Sequence, residues 1–94
     1  SCWSFGPVSV CVDKISVDEI KVSIKLLNQT IGSGTLSTGS NSVCASANIG
    51  LAKAKLCVVA DFSAKEVKVK GEVCTLKFPS GWSCRKFEAR ILAW

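Results

Sequence analysis

Six cysteines are the residues of this chain whose type and spacing most restrict the chemistry available to it. They are Cys2, Cys11, Cys44, Cys57, Cys74 and Cys84. Structural zinc sites usually draw their ligands from closely spaced cysteine or histidine pairs, whereas here the two nearest cysteines are nine positions apart and histidine is absent. An even number of cysteines in a short chain instead indicates disulfides formed in an oxidising compartment. We therefore predict that all six cysteines form disulfides and that the chain binds no metal.

Turn-forming residues between successive cysteines favour one pairing among the many that are possible. The intervening segments are Gly6-Pro7, Asn48-Ile49-Gly50 and Pro79-Ser80-Gly81. Antiparallel strands folded about these turns would bring each pair within the ~7 Å between Cα atoms that a disulfide allows. The pairs predicted in this way are Cys2 with Cys11, Cys44 with Cys57, and Cys74 with Cys84. Other pairings remain open at this point.

No group of side chains has the arrangement of a catalytic site. Without histidine the chain contains neither a Ser-His nor a Cys-His pair. A small enzyme would have to depend on carboxylates and basic groups such as Asp61, Glu88 and Arg85. An aspartate that follows an apolar run, as Asp61 does, more often begins a turn. We predict no catalytic residues and no cofactor, and enzymatic activity ranks last among the functions considered.

The apolar content is high for so short a chain. Hydrophobic residues make up 48% of it, and the mean hydropathy is +0.34. A small domain can pack this apolar surface in one core or expose part of it as a binding site. Aromatic side chains combine a large contact area with few torsions, so the candidate ligand-binding residues are Trp3, Trp82, Trp94, Phe78 and Phe87. The alternative is that the tryptophans only pack over the disulfides.

The net charge of +5 comes from lysines that alternate with apolar residues instead of clustering. This pattern is typical of solvated strand faces and protected sheet edges, and it also permits attraction to an anionic membrane or an acidic protein partner. Nucleic acid is not an expected partner, because only Arg85 and Arg90 have the guanidinium group that base recognition prefers. No apolar run approaches the roughly 18 residues of a membrane-spanning helix.

The start of the chain and its cysteine content both favour an extracellular location. The chain begins Ser-Cys-Trp and contains no methionine, which is typical of a mature protein whose signal peptide has been removed. We therefore expect a secreted protein. Asn28-Gln29-Thr30 matches the acceptor pattern for N-glycosylation, which makes Asn28 a candidate glycosylation site.

Alternation of apolar and polar residues locates the strands that must position these side chains. Residues 19–26 alternate strictly, and shorter alternating runs cover residues 8–12, 51–59 and 66–70. After Gly71 the apolar phase becomes mixed, which predicts a bulge or a close approach that switches the buried face.

Two further segments are harder to assign. Residues 31–42 are rich in Gly, Ser and Asn, and this composition predicts a flexible loop containing a short strand at residues 35–37. The run at residues 86–94 fits a helix or a strand, and we favour a strand because the rest of the chain is β.

A weak internal repeat indicates two hairpin-like units. Residues 15–22 align with residues 62–69, and a Cys-Val pair at Cys11 and at Cys57 precedes the two copies. We predict one domain over residues 1–94: an all-β, disulfide-stapled antiparallel sandwich or barrel of about six to eight short strands. The predicted core consists of Val12, Ile20, Val22, Ile24, Leu26, Leu56, Val58, Val67, Val69 and Val73.

The spacing of cysteines and strands resembles a family of uncharacterised arthropod secreted cysteine-rich proteins. The matching features are Val10-Cys11-Val12, the alternating run Asp18-Glu19-Ile20-Lys21-Val22-Ser23-Ile24, Cys44, Leu56-Cys57-Val58 and Cys74. They cover roughly residues 8 to 76, and the chain departs from the family at its start, where only Cys2 precedes Cys11. The resemblance implies secretion and a disulfide-bonded β-domain, and it implies no activity or functional residue.

Two classes of function fit these features. We expect a secreted, non-enzymatic binding protein for a hydrophobic or lipid-like ligand, an apolar small molecule or a lipid, held between the β-layers. The alternative is a cationic defence or venom-type effector that acts on membranes or on a partner protein. The number of copies in the functional protein is left open.

Overall fold

The computed structural model describes residues 1–94 and contains eight antiparallel strands in two four-stranded sheets. The first sheet consists of β1 (Cys2–Phe5), β2 (Val8–Ser16), β3 (Glu19–Leu26) and β4 (Gln29–Ser37), and the second of β5 (Ser42–Asn48), β6 (Ala52–Asp61), β7 (Glu66–Lys77) and β8 (Gly81–Ala93). Each strand pairs with the next along the chain, and the two sheets form a sandwich that is not closed into a barrel. The all-β prediction is confirmed. No helix of the chain is long and apolar enough to cross a membrane.

The core lies between the two sheets and follows directly from the alternation in the sequence. In β3 every second side chain is fully buried, so that its apolar face points inward and its polar face points to solvent. Seventeen buried residues form one hydrophobic cluster. All ten residues of the predicted core belong to it, so that prediction is confirmed.

Close contacts on two sides of the molecule fix how the sheets are stacked. On one side, a Cβ atom on Gly32 of β4 would lie 2.8 Å from the Cβ of Ala45 in β5. On the other side, the rings of Trp3 in β1 and Phe87 in β8 have centroids 5.3 Å apart. Gly32 and Trp3 lie on one cross-strand row of the first sheet, and Ala45 and Phe87 on one row of the second. We call these two stacked rows the central level; it divides the 48 Å long molecule into two halves.

Three disulfides join directly opposite residues of neighbouring strands, with Cα atoms 4.0 Å apart. They are Cys2–Cys11, Cys44–Cys57 and Cys74–Cys84, so the predicted pairing is confirmed. Each one ties an edge strand, β1, β5 or β8, to its inner neighbour. The remaining edge strand, β4, has no disulfide. It also has no charge, because no charged residue lies between Lys25 and Lys53.

The prediction of a flexible loop at residues 31–42 is wrong for residues 31–34, whereas the short strand predicted at residues 35–37 is confirmed as part of β4 and residues 38–41 connect β4 to β5. Strand β4 covers Gln29–Ser37 and pairs with β3 along its length, and Ser42 already begins β5. A Cβ atom on Gly34 would lie 2.9 Å from a methyl group of Val43, much as one on Gly32 would meet Ala45. These glycines therefore allow the two sheets to approach closely, and they do not form a turn.

The predicted switch of the buried face at Gly71 is also wrong, although the close approach is confirmed. Val67, Val69 and Val73 are all buried on one face, so the alternation continues through Gly71. The register shift in the β7–β8 pairing lies at Val67 and Lys68 instead, where Ile91 of β8 is the extra residue. A Cβ atom on Gly71 would lie 2.6 Å from the Cα of Leu56 on β6. The glycine is needed for space.

The C-terminal run is a strand, as favoured from the sequence. Strand β8 is the longest of the eight and pairs with β7 over almost its whole length. The two aligned segments of the internal repeat fall in the β2–β3 and β6–β7 hairpins, which are the middle hairpins of their sheets. The prediction of two hairpin-like units is therefore confirmed.

Candidate functional site

Three of the five aromatic residues predicted to bind a ligand instead pack against other aromatic rings. Trp3 is partly buried and contacts the buried ring of Phe87, which joins β1 to β8. Trp94 packs edge-on against Phe62, with ring centroids 5.8 Å apart, at the end of the molecule that has the β6–β7 turn. The five predicted residues therefore do not form one site.

The other two, Phe78 and Trp82, belong to an exposed apolar cluster at the β7–β8 turn. Phe78 is 99% exposed and Trp82 is 39% exposed. Leu76 is the cross-strand partner of Trp82, and its backbone N–H donates a 2.9 Å hydrogen bond to the carbonyl of Leu51. Both leucines are also exposed. Exposed large apolar side chains usually occur singly on a protein surface, so a group of four at one end is notable. We call Leu51, Leu76, Phe78 and Trp82 the apolar tip.

The sequence contained a signal for only one of the two leucines of the apolar tip, Leu76. Leu76 falls out of phase with the buried positions of β7, so it had to face outward if the strand continued past Gly71. Leu51 gave no such signal, because it lies just before β6 in a turn whose direction depends on the fold.

The whole net charge lies in the half of the molecule that has the apolar tip. On that side of the central level the charged side chains are Lys25, Lys53, Lys55, Lys77, Arg85 and Lys86, with Glu72 as the one acidic group. The other half contains as many acidic as basic side chains, so the tip half has the full formal charge of +5. The net charge is therefore distributed asymmetrically along the long axis of the molecule.

Lys53 connects this charge to the apolar tip. Its Nζ atom lies 4.5 Å from the ring centroid of Trp82, which is the geometry of a cation–π contact. The Cys74–Cys84 disulfide joins β7 to β8 two residues away from Leu76 and Trp82. Three of the four side chains of the tip, those of Leu76, Phe78 and Trp82, are thus presented by a hairpin that a disulfide holds together.

A cleft of about 330 Å³ separates the two layers beside the apolar tip. One wall is the β1–β2 turn with Phe5, Gly6 and Pro7. The other wall consists of inward-facing residues of β7 and β8, namely Val73, Thr75, Lys77, Ser83 and Arg85. We call this space the edge cleft. It combines an apolar floor with hydroxyl and cationic groups.

The largest concave region, of about 590 Å³, lies on the outward face of the second sheet. Its exposed side chains alternate in charge, and Lys70 and Glu88 form an ion pair at 4.0 Å. Charged side chains surround a largely apolar floor, and the region is open, so it is a shallow surface and not an enclosed pocket for a hydrophobic ligand. Core side chains fill the space between the central parts of the sheets.

The one group of side chains with metal-ligand atoms in reach of one another is Glu72 with Cys74 and Cys84, within 4.8 Å. The two sulfurs are joined in a disulfide, so neither is available as the thiolate that a metal site requires. This group therefore has a single carboxylate to offer.

The three groups considered for a small enzyme lie apart. A carboxylate oxygen of Asp61 accepts hydrogen bonds from the N–H groups of Ser63 and Ala64, at 3.0 and 2.9 Å, so Asp61 stabilises the β6–β7 turn. Arg85 faces inward from β8, whereas Glu88 faces outward and pairs with Lys70. No arrangement for acid–base catalysis follows from these positions.

Asn28 is exposed in the β3–β4 turn, where its backbone has φ of 65°. Asparagine adopts this left-handed conformation more readily than most residues. The side chain is accessible to a glycosyltransferase, and its glycosylation remains a prediction.

No known protein family, curated protein or solved structure matches this chain. The resemblance to arthropod secreted proteins therefore stays a prediction. Three disulfides in a small all-β domain are typical of extracellular proteins.

Proposed function

We propose that this is a secreted, non-enzymatic lipid-binding protein that attaches to an anionic lipid surface through its apolar tip. The observation that supports this most directly is that the apolar tip and the entire net charge of +5 share one half of the molecule. Basic side chains near an anionic bilayer contribute about 1 kcal/mol each, and apolar side chains enter the interface between headgroups and acyl chains. The lipid-like ligand expected from the sequence is kept, but its place moves from between the layers to the tip.

The dimensions of the tip half suit this mode of attachment. Lys55 and Lys86 lie on the row of Glu72, four residues from Leu76, which is about 13 Å at 3.3 Å per residue. An interfacial segment penetrates by about 5–10 Å. With the tip inserted to that depth, these lysines lie at the level of the lipid phosphates. Trp82 and Lys53 lie between, where aromatic rings favour the headgroup layer.

Flotation with lipid vesicles tests the role of the apolar tip. We expect the protein to bind vesicles of phosphatidylcholine mixed with phosphatidylserine and to bind phosphatidylcholine alone weakly. Phe78→Ser should reduce binding by at least about tenfold, because burying a phenylalanine contributes roughly 1.5–3 kcal/mol. Val17→Ser is the matched control, since Val17 is 76% exposed at the β2–β3 turn of the half without net charge and should not affect binding.

A pair of charge variants tests the electrostatic part of the proposal. Lys53→Gln should weaken binding about fivefold, which corresponds to the loss of one basic group at the surface. Lys21→Gln is the control, because Lys21 lies opposite Asp13 in the other half and should leave binding unchanged. Binding should also fall as the Debye length shrinks from ~10 Å at 0.1 M salt to ~3 Å at 1 M. Wild-type affinity in the Phe78 variant, or equal binding to both kinds of vesicle, contradicts the proposal.

The same end of the molecule also suits the alternative of an effector that disrupts membranes. Release of a trapped dye from the phosphatidylserine vesicles separates the two functions. We expect attachment without release, because the apolar tip is small: three of its side chains lie on one disulfide-held hairpin, and the fourth, Leu51, lies in the turn before β6. Release that depends on Phe78 would favour the effector.

A further inference from the structure

The inward faces of β7 and β8 change character where the core ends. Inward positions of a sandwich normally have apolar side chains, and Val73 in β7 and Phe87 in β8 follow this rule. Towards the β7–β8 turn the same faces continue with Thr75 and Lys77 in β7 and with Ser83 and Arg85 in β8. Four polar groups therefore point into the edge cleft from one wall.

The cations of the edge cleft have no anionic partner in the protein. Neither Arg85 nor Lys77 takes part in an ion pair, and no acidic side chain lines the cleft. Arg90, the other arginine, also lies on β8, but it faces outward and pairs with Glu66 at 3.7 Å. Arg85 is thus the one guanidinium group of the chain that is free to bind an anion beside the core.

The donors in the cleft fit a phosphate better than a carboxylate. A guanidinium group can donate two parallel hydrogen bonds to a pair of phosphate oxygens. Thr75 and Ser83 are cross-strand partners, so two hydroxyl donors lie side by side next to Arg85, and Lys77 adds an ammonium group. With two hydrogen bonds from the guanidinium and one each from the two hydroxyls and the ammonium group, the cleft can donate about five, whereas the two oxygens of a carboxylate have about four lone-pair sites. A phosphate group has more acceptor oxygens to offer.

The opposite wall and the size of the cleft suit the part of a lipid next to its phosphate. Phe5, Gly6 and Pro7 are uncharged and can pack against glycerol or the start of an acyl chain. The volume of about 330 Å³ lies at the lower end of the range for small-molecule sites, which is about 300–1,000 Å³. A headgroup with its glycerol is the size of ligand that this range admits.

We infer that the edge cleft is a binding site for the phosphate group of a lipid headgroup, with Arg85 as its principal ligand. This inference rests on the proposed function, which supplies the lipid. The cleft opens beside the apolar tip, so a lipid in the surface that the tip enters lies within its reach. Phosphate recognition in the cleft would add selectivity among anionic lipids to the general electrostatic attraction between the tip half and an anionic surface.

An NMR titration of the backbone amides tests the site without any membrane. The probes are glycerol 3-phosphate, as a soluble headgroup, and inorganic phosphate. We expect glycerol 3-phosphate to shift the amide signals of Thr75, Ser83 and Arg85 and to bind more tightly than inorganic phosphate. Arg85→Gln should weaken binding at least tenfold, and Arg85→Lys should restore part of it, because the charge returns without the two parallel donors.

Arg90→Gln is the matched control, because it removes the same group from the outward face of the same strand and should leave binding unchanged. Equal affinities for the two probes would overturn the assignment to a lipid headgroup, since the site would then recognise the free anion. Absence of shifts in the cleft, or shifts that persist in Arg85→Gln, would overturn the site itself.

The vesicle experiment keeps this inference separate from the proposed function. If Phe78→Ser abolishes attachment while Arg85→Gln binds both vesicles and glycerol 3-phosphate as the wild type does, the cleft inference is wrong and surface attachment stands. If glycerol 3-phosphate binds through Arg85 but the protein ignores anionic vesicles, surface attachment is wrong and the cleft is a site for a soluble phosphate ester, which also overturns the lipid assignment.

Discussion

Replacing Gly71 with alanine is the single-methyl change that should disturb this fold most. Gly71 lies on the central level, between Leu56 of β6 and Phe87 of β8. A Cβ atom there would lie 2.5 Å from the Cβ and 2.6 Å from the Cα of Leu56. Carbon atoms pack best at about 3.5–4.0 Å. Because the clash involves the Cα and Cβ of a neighbouring strand, no change of rotamer can relieve it, and the two strands must move apart by about 1 Å.

The cost of this movement can be bounded from known core substitutions. Adding a methylene group to a well-packed core costs about 1–3 kcal/mol, and occasionally more. The contact at Gly71 is with backbone at the centre of a sheet, so we expect the upper end of this range, about 3 kcal/mol. A change of 1 kcal/mol shifts the Tm of a domain of this size by about 4–8 °C. The variant should therefore melt roughly 12–24 °C below the wild type.

Thermal unfolding under non-reducing conditions, followed by near-ultraviolet circular dichroism, measures this difference. Gly39→Ala is the control, since a Cβ atom there meets nothing within 4 Å, and its Tm should be unchanged or slightly higher. A Gly71 variant that melts less than about 4 °C below the wild type has lost less than 1 kcal/mol. That result would refute the conclusion that β6 and β7 leave no room for a side chain at this position.

Three further outcomes are expected. Replacing Cys44 and Cys57 together by alanine should lower the free energy of unfolding in urea by about 3 kcal/mol, because the disulfide closes a loop of 13 residues; peptide mapping that instead linked Cys57 to another cysteine would contradict this pairing. Expression through a eukaryotic secretory pathway should add a glycan that Asn28→Gln removes, and an unchanged mass in the wild type would show that the site is unused. Sedimentation at high concentration should reveal self-association through the uncharged edge of β4. Ser33→Lys in β4 should suppress it, and Ser4→Lys on edge strand β1 should not. Equal effects of the two substitutions would place the contact elsewhere.

The fold could be predicted from the sequence wherever one face of a strand is buried and the other is exposed to solvent. Residues 19–26 read correctly because alternation of side chains is a local property of the chain. The errors at residues 31–34 and at Gly71 have one cause. A turn needs glycine for its backbone freedom, and a close contact between strands needs it because it has no side chain. Only the position of the neighbouring strand shows which of the two reasons applies to a given glycine.

The candidate site was less accessible to sequence reasoning. Residue type marked all five aromatic residues as candidates, and it could not show that Phe78 and Trp82 are exposed whereas Trp3, Trp94 and Phe87 pack against other rings. The basic side chains of the tip half come from positions spread between 25 and 86 of the chain. Strand register alone brings them to one end, so alternation along the sequence made the charge look evenly distributed.

The disulfides have a consequence for motion as well as for stability. Sheets open first at their edges, where a strand has hydrogen bonds on one side only. In β1, β5 and β8 a covalent link keeps the strand beside its partner even when those bonds break, whereas β4 is held by hydrogen bonds and packing alone. We therefore expect local opening to begin on the β4 side, away from the β7–β8 hairpin. The backbone that presents the apolar tip and one wall of the edge cleft is therefore covalently held, so the binding we propose there would cost little backbone conformational entropy.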